Sequence, residues 1–389
     1  MMPTVRRSVA LLGATGSIGT QTLDVLRREP EMFELVALSG AEQLHELAAI
    51  VNEFHVTRVG VISDGHRDTL AALVGANVDI VVGDEGLSAL AASADIIVNA
   101  VLGFAGLPVT LSALKSGKRL ALANKESLIA AAPLVAKVRS TPGATLLPVD
   151  SEHCAIHQCL ASSPGEAGYP DVRRLLLTAS GGPFRGWSLD QLRGATKADA
   201  LNHPTWSMGS KITIDSSTLM NKGLEVLEAS ALFGINVERV EVVVHPQSIV
   251  HSMVEYVDGS ILAQLSRPDM RLPIAYCLGL PERLDHGWGA IDFTKGLELT
   301  FEAPDPKAFP AIALAYEASR LGGAAPAWLS AANEVAVAAF LADEISWCDI
   351  VDVVARVMDG YVADPLDSVQ DLVANDATAR ARARGILEQ

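Results

Sequence analysis

Residues 8–19, SVALLGATGSIG, join an apolar run to a glycine-rich loop and the opening of a helix. The run predicts a buried strand over residues 8–12, and the pattern after the loop predicts a helix from about residue 17 to residue 28. Glycine lets the backbone approach a pyrophosphate, and a helix start offers free N–H groups to it. The stretch therefore predicts a dinucleotide site, although a glycine loop alone is also typical of a tight turn. The glycines at GxxGxxG spacing, and the hydroxyl residues between them, are Gly13, Gly16, Gly19, Thr15 and Ser17.

Strands and helical segments alternate through the rest of this region. Further strands are predicted at residues 33–38, 58–62, 78–82, 96–98, 119–121 and 145–148. Continuous apolar strands separated by helices are typical of a parallel sheet covered on both faces. We therefore expect an α/β fold that begins with a doubly wound, Rossmann-like parallel sheet, and we assign residues 1–149 to a dinucleotide-binding domain.

The segment after the second predicted strand bears on the choice of cofactor. An acid at this place suits the free 2′-OH of NAD, and a base suits the 2′-phosphate of NADP. Residues 39–43, SGAEQ, contain an acid and no lysine or arginine. Taken alone the segment favours NAD or no preference, unless a base comes from elsewhere in the chain.

Charged residues follow two later strands. Lys125 comes after the strand at 119–121, at the edge where open α/β sheets bind ligands, although it is also compatible with a surface lysine. Asp150 and Glu152 follow the strand at 145–148, and in an extended segment residues two apart point to the same side. Two converging carboxylates suit Mg²⁺ or Mn²⁺. The alternative is an acidic helix start, which the helix dipole also favours.

Residues 201–228, LNHPTWSMGSKITIDSSTLMNKGLEVLE, form three predicted pieces. Residues 202–211 are predicted to form a loop, and the Trp and Met on it suggest a lid that closes over a ligand. Residues 212–214 are predicted to form a short strand. A helix is predicted to begin at Ser216 or Ser217 with a hydroxyl cap.

The predicted helix carries a polar face. Ser217, Asn221 and Glu225 are spaced four residues apart, so they lie on one side. Hydroxyl, amide and ammonium groups at a helix start suit a phosphate, and Glu225 is the natural third ligand for a cation. The alternative is an ordinary solvated face of an amphipathic helix.

The remaining chain predicts a second sheet and a helical end. Strands are predicted at residues 173–180, 239–244, 249–257 and 261–265, mostly antiparallel, within a catalytic domain over 150–280. Residues 281–310 are proline-rich and are assigned to a linker. Four helical patterns over 311–389 predict a small C-terminal helical domain with a structural role.

Composition excludes several classes of protein. The chain has 389 residues and a formal net charge of −16, which disfavours binding to nucleic acid or to an anionic membrane surface. No apolar run has the length of a membrane span, and the run after the first arginines is too short for a signal peptide. Four scattered cysteines without CxxC or zinc spacing indicate reduced thiols and a cytoplasmic location, with no transit peptide.

In order along the chain, these segments resemble the 1-deoxy-D-xylulose 5-phosphate reductoisomerases. The motifs that carry the resemblance are GATGSIG, LANKES, VDSEH, TASGGPFR, NHPTWSMGSKITIDSSTLMNKGLEVLEA and HPQSIVHSMVEY. The long central motif is very specific, whereas the glycine loop alone is not.

The resemblance implies a role for individual residues. The implied metal ligands are Asp150, Glu152 and Glu225. The implied substrate phosphate contacts are Ser180, Ser216, Asn221 and Lys222. The implied contacts to the rest of the substrate are Lys125, Ser151 and His203. The implied catalytic residues are Lys125, His203 and the three metal-binding acids Asp150, Glu152 and Glu225. The implied lid residues are Trp206 and Met208. The implied cofactor contacts are Gly13, Thr15, Gly16, Ser17, Ile18, Gly40, Asn124, Glu126 and Gly209.

The resemblance also implies the reaction. A phosphorylated sugar, 1-deoxy-D-xylulose 5-phosphate, is rearranged by carbon–carbon cleavage and re-formation and then reduced by NADPH to 2-C-methyl-D-erythritol 4-phosphate, within non-mevalonate isoprenoid biosynthesis. The resemblance implies Mn²⁺ or Mg²⁺ as the cation, with Co²⁺ a further candidate, and a homodimer as the working form. Ala41 and Glu42 replace the basic residue usual after the second strand, which leaves the 2′-phosphate contact open.

Two other functions fit parts of the pattern. One is another NAD(P)-dependent aldehyde or semialdehyde reductase, such as a semialdehyde dehydrogenase. Semialdehyde dehydrogenase chemistry needs a nucleophilic cysteine, for which Cys154 and Cys159 are the nearest candidates. A non-catalytic dinucleotide-sensing module would need neither the three acids nor the lid.

Overall fold

The computed structural model describes residues 6–162, 168–206, 208–363 and 366–389. The chain divides into two compact units, which are described separately. Unit 1 comprises the described residues of Met1–Ser127, Val135–Cys154 and Asp269–Trp288, and unit 2 those of Leu128–Leu134, Ala155–Pro268 and Gly289–Gln389. The four domain ranges predicted from the sequence stay predictions, since compact units and functional domains are different divisions.

Unit 1 is built on a seven-stranded parallel sheet, as the apolar strand pattern predicts. The strands are β1 (Arg7–Leu12), β2 (Phe33–Ser39), β3 (Arg58–Val61), β4 (Asp79–Val82), β5 (Ile96–Asn99), β6 (Arg119–Leu122) and β7 (Thr145–Pro148). Their order is β4-β3-β2-β1-β5-β6-β7, so the order reverses between β1 and β5. Ligands of open α/β sheets bind at the carboxyl ends of the strands beside such a reversal.

Helices connect these strands. They are α1 (Ser17–Arg28), α2 (Leu44–Phe54), α3 (Asp64–Ala71), α4 (Gly83–Ala91), α5 (Leu107–Lys115), α6 (Lys125–Val138) and α7 (Ser151–Leu160). The division between the units runs through α6 and α7. The apolar side of α1, including Leu23 and Leu26, is buried in the same core as Val9 and Leu11 of β1.

Unit 2 contains a four-stranded mixed sheet. Its strands are β8 (Val172–Ala179), β9 (Val240–Val244), β10 (Val250–Tyr256) and β11 (Ile261–Leu265), in the order β11-β10-β8-β9. The β10–β11 and β10–β8 pairs are antiparallel, as predicted for most of the sheet, whereas β8 and β9 are parallel. Gly259, with φ +88°, forms the turn of the predicted hairpin between β10 and β11.

The later helices are α8 (Leu189–Arg193), α9 (Lys197–Leu201), α10 (Ser210–Ser217), α11 (Met220–Phe233), α12 (Arg271–Gly279), α13 (Ala311–Leu321), α14 (Ala325–Leu341), α15 (Trp347–Met358) and α16 (Val369–Leu387). The last four confirm the predicted C-terminal helices. Trp328 of α14 and Trp347 of α15 share a buried core with Ile214 of α10 and Leu224 of α11. The C-terminal helices therefore pack directly against the segment that carries the central motif.

The local structure of that segment differs from the prediction in two places. Residues 212–214 lie inside helix α10, not in a strand, because Thr213 and Ile214 are buried in the core and tertiary packing outweighs the β-branched pattern. The second helix begins at Met220 and not at Ser216 or Ser217. Leu219 separates α10 from α11 and has a φ of +58°, a left-handed conformation that is uncommon for leucine.

Helix α12 belongs to unit 1, although it follows the second sheet in the chain. Its side chains Ile274, Cys277 and Leu278 are at most 1% exposed and lie in the same core cluster as β1. Arg7 Nη1 donates to Leu280 O at 3.0 Å, and Arg119 Nη1 donates to Leu278 O at 3.3 Å. Two strands thus satisfy the carbonyl groups at the end of this helix.

Among the described residues, no helix combines the length and the apolarity that crossing a membrane requires. The four cysteines are all free thiols.

Candidate active site

The glycine-rich loop follows β1 and opens α1, as predicted. Gly13 has a φ of +93°, and a Cβ at this position would lie 2.5 Å from Ala100 O, so only glycine fits. A Cβ at Gly19 would lie 2.3 Å from Gly13 O, so this glycine permits close packing of helix against loop. Gly16 caps α1 and supplies no side-chain hydrogen bond. The first N–H groups of α1 therefore have no side-chain cap, the arrangement that attracts a pyrophosphate.

The other predicted cofactor residues lie in different surroundings. Thr15 and Ile18 are half-buried and Ser17 is exposed, while Gly40 is buried at the end of β2. Asn124 Nδ2 donates to Val101 O and Gly103 O, both at 2.5 Å, so this side chain orders the loop after β5. Glu126 is half-buried at the start of α6, and Gly209 is exposed at the start of α10 in unit 2.

The ends of β6 and β7 bring together four residues, which we call the strand-end cluster: Lys125, Asp150, Glu152 and His153. Lys125 Nζ lies 2.8 Å from Asp150 Oδ2. The side chains of Lys125 and Asp150 are 9% and 13% exposed. The interpretation of Lys125 as a surface lysine is therefore wrong.

Asp150 is positioned as the cap of α7 and not within an extended segment. Its Oδ1 accepts from Glu152 N at 3.2 Å and lies 3.0 Å from His153 Nδ1. An acidic helix start, the alternative considered above, is what the structure shows. The two acids nevertheless converge, because a carboxylate oxygen of Asp150 lies within 4.8 Å of one of Glu152. Ser151 Oγ donates to Glu152 Oε2.

In unit 2 a second group of polar and charged residues lies on α11, and we call it the α11 cluster: Asn221, Lys222 and Glu225. Asn221 Nδ2 donates to Glu225 Oε1 at 2.5 Å, and Lys222 Nζ donates to Glu225 Oε2. The side chains of Lys222 and Glu225 are 5% and 1% exposed. Asn221 and Glu225 lie on one helix face, as predicted, whereas Ser217 belongs to α10 and not to this helix. Glu225 is buried and Asn221 half-buried, so the alternative of an ordinary solvated face is wrong.

The predicted phosphate residues Ser180 and Ser216 are brought close to one another by a glycine turn. Gly181 and Gly182 follow β8 with φ values of +87° and +67°. A Cβ on Gly182 would lie 2.5 Å from Ser216 O, so this turn approaches the end of α10 as only glycine can. Ser180 Oγ accepts from Gly182 N at 3.2 Å and lies 3.0 Å from His203 Nε2.

His203 organises the start of the predicted lid. Its Nδ1 accepts from Thr205 N at 3.1 Å and from Trp206 N at 2.9 Å, so the ring proton lies on Nε2 and is donated to Ser180 Oγ. With both lone pairs of its oxygen engaged, Ser180 can direct its own hydroxyl proton to an anion. Burial lowers the pKa of His203, which keeps the ring neutral.

Trp206 and Met208 are half-buried, and the Trp206 ring centroid lies 6.3 Å from that of His251. Ser207, within the predicted lid loop 202–211, lies outside the described residues.

Several residues that support the site were not predicted. His153 is fully buried against Asp150, and its i, i+3 spacing was the available signal. Trp347 Nε1 on α15 donates to Ser217 Oγ at 2.8 Å. Asn333 Nδ2 on α14 donates to Asp215 Oδ1 at 2.7 Å. The C-terminal helices thus position the segment that carries Ser216, beyond the structural role expected of them.

The cysteines do not suit the rival chemistry. Cys154 is 1% exposed, and burial raises the pKa of the Cys159 thiol to about 11. A nucleophilic cysteine needs a lowered pKa and access to substrate. Neither residue therefore supports a semialdehyde dehydrogenase.

Three models of one protein family match most of the chain. Residues 9–132 match the family model described as 1-deoxy-D-xylulose 5-phosphate reductoisomerase. Residues 146–233 match the model of the 1-deoxy-D-xylulose 5-phosphate reductoisomerase C-terminal domain, and residues 265–382 match that of the DXP reductoisomerase C-terminal domain.

Relatives match over the full chain. The 1-deoxy-D-xylulose 5-phosphate reductoisomerase of Thermosynechococcus vestitus is 45% identical, over 100% of this chain and 94% of the relative. The enzyme of that name from Chlorobaculum tepidum is 47% identical, over 98% and 100%.

Solved structures show the same fold. The reductoisomerase from Zymomonas mobilis in complex with NADPH has a TM-score of 0.92 at 43% identity, covering 99% of this chain and 100% of that chain. A DOX-P reductoisomerase in complex with NADPH, fosmidomycin and magnesium has a TM-score of 0.90 at 41% identity, covering 98% of both. The chain therefore belongs to the 1-deoxy-D-xylulose 5-phosphate reductoisomerase family.

Proposed function

We propose that this chain converts 1-deoxy-D-xylulose 5-phosphate to 2-C-methyl-D-erythritol 4-phosphate, with NADPH and Mg²⁺ or Mn²⁺, in isoprenoid biosynthesis. The observation that carries the proposal is the buried pairing of a lysine with an acid in each unit, Lys125 with Asp150 and Lys222 with Glu225. Relatives of known name match the whole chain, and solved relatives hold NADPH and magnesium.

The donor set fits a hard divalent cation. Asp150, Glu152 and Glu225 offer carboxylate oxygens, which Mg²⁺ and Mn²⁺ prefer, and two of these acids already converge in unit 1. We assign these three acids as the cation ligands. A bound cation would stabilise negative charge on substrate oxygens, and the nicotinamide would supply hydride.

The chain's own residues bind and orient the substrate. Ser180 directs its hydroxyl proton to the substrate phosphate, and Ser216, Asn221 and Lys222 add hydroxyl, amide and ammonium donors. This remote binding contributes to catalysis because it holds the reacting carbons in place. Lys125, at the rim of the strand-end cluster, donates to a substrate oxygen.

The loop that begins at His203 serves as the lid. Neutral His203 holds the backbone of Thr205 and Trp206 in a turn, and Trp206 and Met208 provide apolar surface over the ligand. Exclusion of water protects a reactive aldehyde from side reactions.

The proposed working form is a homodimer. Strand β11 lies at the edge of its sheet, and Ile261 and Leu262 are 51% and 40% exposed. An apolar edge strand is a template for pairing with an identical strand, and a twofold axis makes that contact self-complementary. Light scattering should give twice the chain mass, and Leu262→Lys should shift the protein to a monomer. A wild-type protein that is monomeric at micromolar concentration contradicts this.

We also propose a cytoplasmic location, supported by four cysteines that are all free thiols in the structure.

The decisive test is oxidation of NADPH or NADH by purified protein with 1-deoxy-D-xylulose 5-phosphate and Mn²⁺. We expect turnover that disappears with a chelator and returns with added metal, and a product identified as 2-C-methyl-D-erythritol 4-phosphate by mass spectrometry. Turnover that ignores the chelator, or a different product, rejects the proposal.

A further inference from the structure

The carboxyl ends of β2 and β3 lie beside the glycine-rich loop. Gly13 N and Ala14 N donate to Ser39 O at 3.1 and 2.8 Å, so the loop contacts the end of β2. Gly40 N donates to Gly60 O at 3.2 Å, which places the end of β3 next to it. In sheets of this topology the ribose of a bound dinucleotide lies at the end of the second strand. Such a ribose therefore faces residues that follow both strands.

The charged residue that follows β2 is an acid, Glu42. A histidine that follows β3, His66, faces it. Residues 39–43 contain no lysine or arginine. His66, in the first turn of α3, has its Nε2 at 3.9 Å from Glu42 Oε2. This is an ion-pair distance but too long for a hydrogen bond. The Glu42 side chain is 81% exposed and can swing away, whereas that of His66 is 25% exposed.

Ser63 holds the His66 ring in place. His66 N donates to Ser63 Oγ at 3.3 Å, and the same oxygen lies 2.5 Å from His66 Nδ1. The Ser63 hydroxyl thus holds the ring through Nδ1. This contact leaves Nε2 on the side of the Glu42 carboxylate, where an imidazole nitrogen that carries a proton can donate to an anion.

The other basic residues nearby are less suited to this role. Arg67 Nη1 lies 3.0 Å from Asp64 Oδ1 and Arg67 Nε lies 3.5 Å from Asp68 Oδ1, so acids of its own helix hold the guanidinium. His45 on α2 is exposed. His66 is the base that combines an ordered ring with a position opposite an exchangeable anion.

We propose that His66 is the residue that recognises the 2′-phosphate of NADPH in this chain, and that Glu42 moves aside to admit it. This rests on the proposed function, because it requires NADPH as the cofactor. The phosphate replaces the Glu42 carboxylate opposite Nε2, where a charge-assisted hydrogen bond forms. NADH lacks this phosphate and leaves the Glu42–His66 pair in place, with Glu42 able to accept from the ribose 2′-OH.

Calorimetric titration without substrate tests the proposal on the whole chain. We expect His66→Ala to weaken NADPH binding about tenfold or more and NADH binding less than about twofold. Glu42→Gln should strengthen NADPH binding, because a carboxylate no longer competes with the phosphate. Arg67→Ala is the matched control and should leave the ratio of the two affinities unchanged. As a simpler probe, 2′-AMP should compete with NADPH for the wild type and much less for His66→Ala.

Two outcomes overturn the proposal: equal weakening of NADPH and NADH in His66→Ala, or loss of NADPH preference in Arg67→Ala instead. His66→Gln, which keeps a side-chain N–H donor, should bind NADPH with intermediate affinity, and thermal unfolding checks that each variant is folded. Failure of the proposed function is distinguishable, because the wild type would then not oxidise either cofactor with the sugar phosphate. If the wild type converts the sugar phosphate but the His66 variants bind NADPH in preference to NADH as the wild type does, the inference about His66 fails and the proposed function stands.

Discussion

The strand-end cluster and the α11 cluster each pair an acid with a lysine ammonium group, but different parts of the fold bring the two partners together. Lys125 and Asp150 are 25 residues apart, and the neighbouring strands β6 and β7 bring them to 2.8 Å. Lys222 and Glu225 are three residues apart on one helix. The Glu225 side chain is 1% exposed, against 13% for Asp150.

The difference in burial between the two clusters bears on how their structural and chemical roles are divided. Removal of one partner from a fully buried ion pair lowers the free energy of unfolding strongly, because the remaining charge stays desolvated. We therefore expect the α11 cluster to combine a structural with a chemical role. The strand-end cluster is closer to solvent and also caps a helix, so its contributions to folding and to chemistry should be separable.

Among the variants of the two clusters, Glu225→Gln should have the largest effect on activity and on stability. Loss of a cation ligand should lower kcat about 10³-fold. Loss of the buried ion pair with Lys222 should lower the free energy of unfolding by about 3 kcal/mol. NADPH affinity should stay within about twofold, since the glycine loop is untouched. Steady-state kinetics with Mn²⁺ and urea unfolding measure both effects.

Glu241→Gln is the control for Glu225→Gln, because Glu241 also pairs with a cation, Arg174, but its side chain is 49% exposed. It should change unfolding by less than about 1 kcal/mol and leave kcat unchanged. Unchanged turnover in Glu225→Gln would remove this residue from the site and end the analogy between the clusters.

Asp150→Asn and Asp150→Ala separate chemistry from capping in the strand-end cluster. Both should lower kcat about 10²-fold or more, because both remove a carboxylate ligand. Asparagine still caps α7, whereas alanine should cost about 1 kcal/mol of stability in addition. Equal unfolding energies for the two variants would show that the cap contributes nothing.

Trp206→Ala tests the proposed lid. Poorer closure should raise KM for the sugar phosphate and lower kcat, each by about tenfold. Leu201→Ala, at a residue that is 38% exposed just before the loop, is the control and should change neither. If kcat and KM are the same in the Trp206 variant and the wild type, the loop is not a lid.

The smallest effect is a pH dependence at His203. Burial lowers the pKa of His203, so the folded loop prefers the neutral ring. Its stabilisation is present above the unfolded value of about 6.5 and is lost as pH falls through the lowered value. The fluorescence of Trp206 should therefore change between pH 7.5 and pH 5, by difference from the Trp206→Phe variant.

His203→Asn keeps an acceptor for the turn but does not titrate, so its fluorescence should stay constant over the same pH range. The same change in this variant would assign the titration to another group.

The parts of the fold that follow from short-range patterns were predictable. The strand, glycine loop and helix of residues 8–28 were placed within one residue, because apolar runs and glycine spacing encode them directly. The pairing of Asn221 with Glu225 followed from helical spacing. The resemblance to a known family supplied the roles of residues that no periodicity distinguishes, and those roles stay proposals here.

What was missed depends on contacts between distant segments. Residues 212–214 look like a strand because Ile and Thr are β-branched. They form part of helix α10, in which Ile214 packs in the core shared with the C-terminal helices. The left-handed Leu219, which ends one helix and starts the next, has no sequence signature. Nor does the sequence show that Trp347 would reach Ser217 across 130 residues.

Helix α12 has a consequence for how the protein is made. Its residues 271–279 complete a core whose other members come mostly from the first 154 residues, and Arg271 Nη1 reaches back to Asp24 Oδ2 at 2.8 Å. During synthesis, more than a hundred further residues must therefore be made before α12 can cover this side of the nucleotide-binding sheet. A fragment that stops at residue 149 would leave apolar side chains of that sheet in water, so the cofactor-binding half is not a module that can be expressed or transplanted by a single cut.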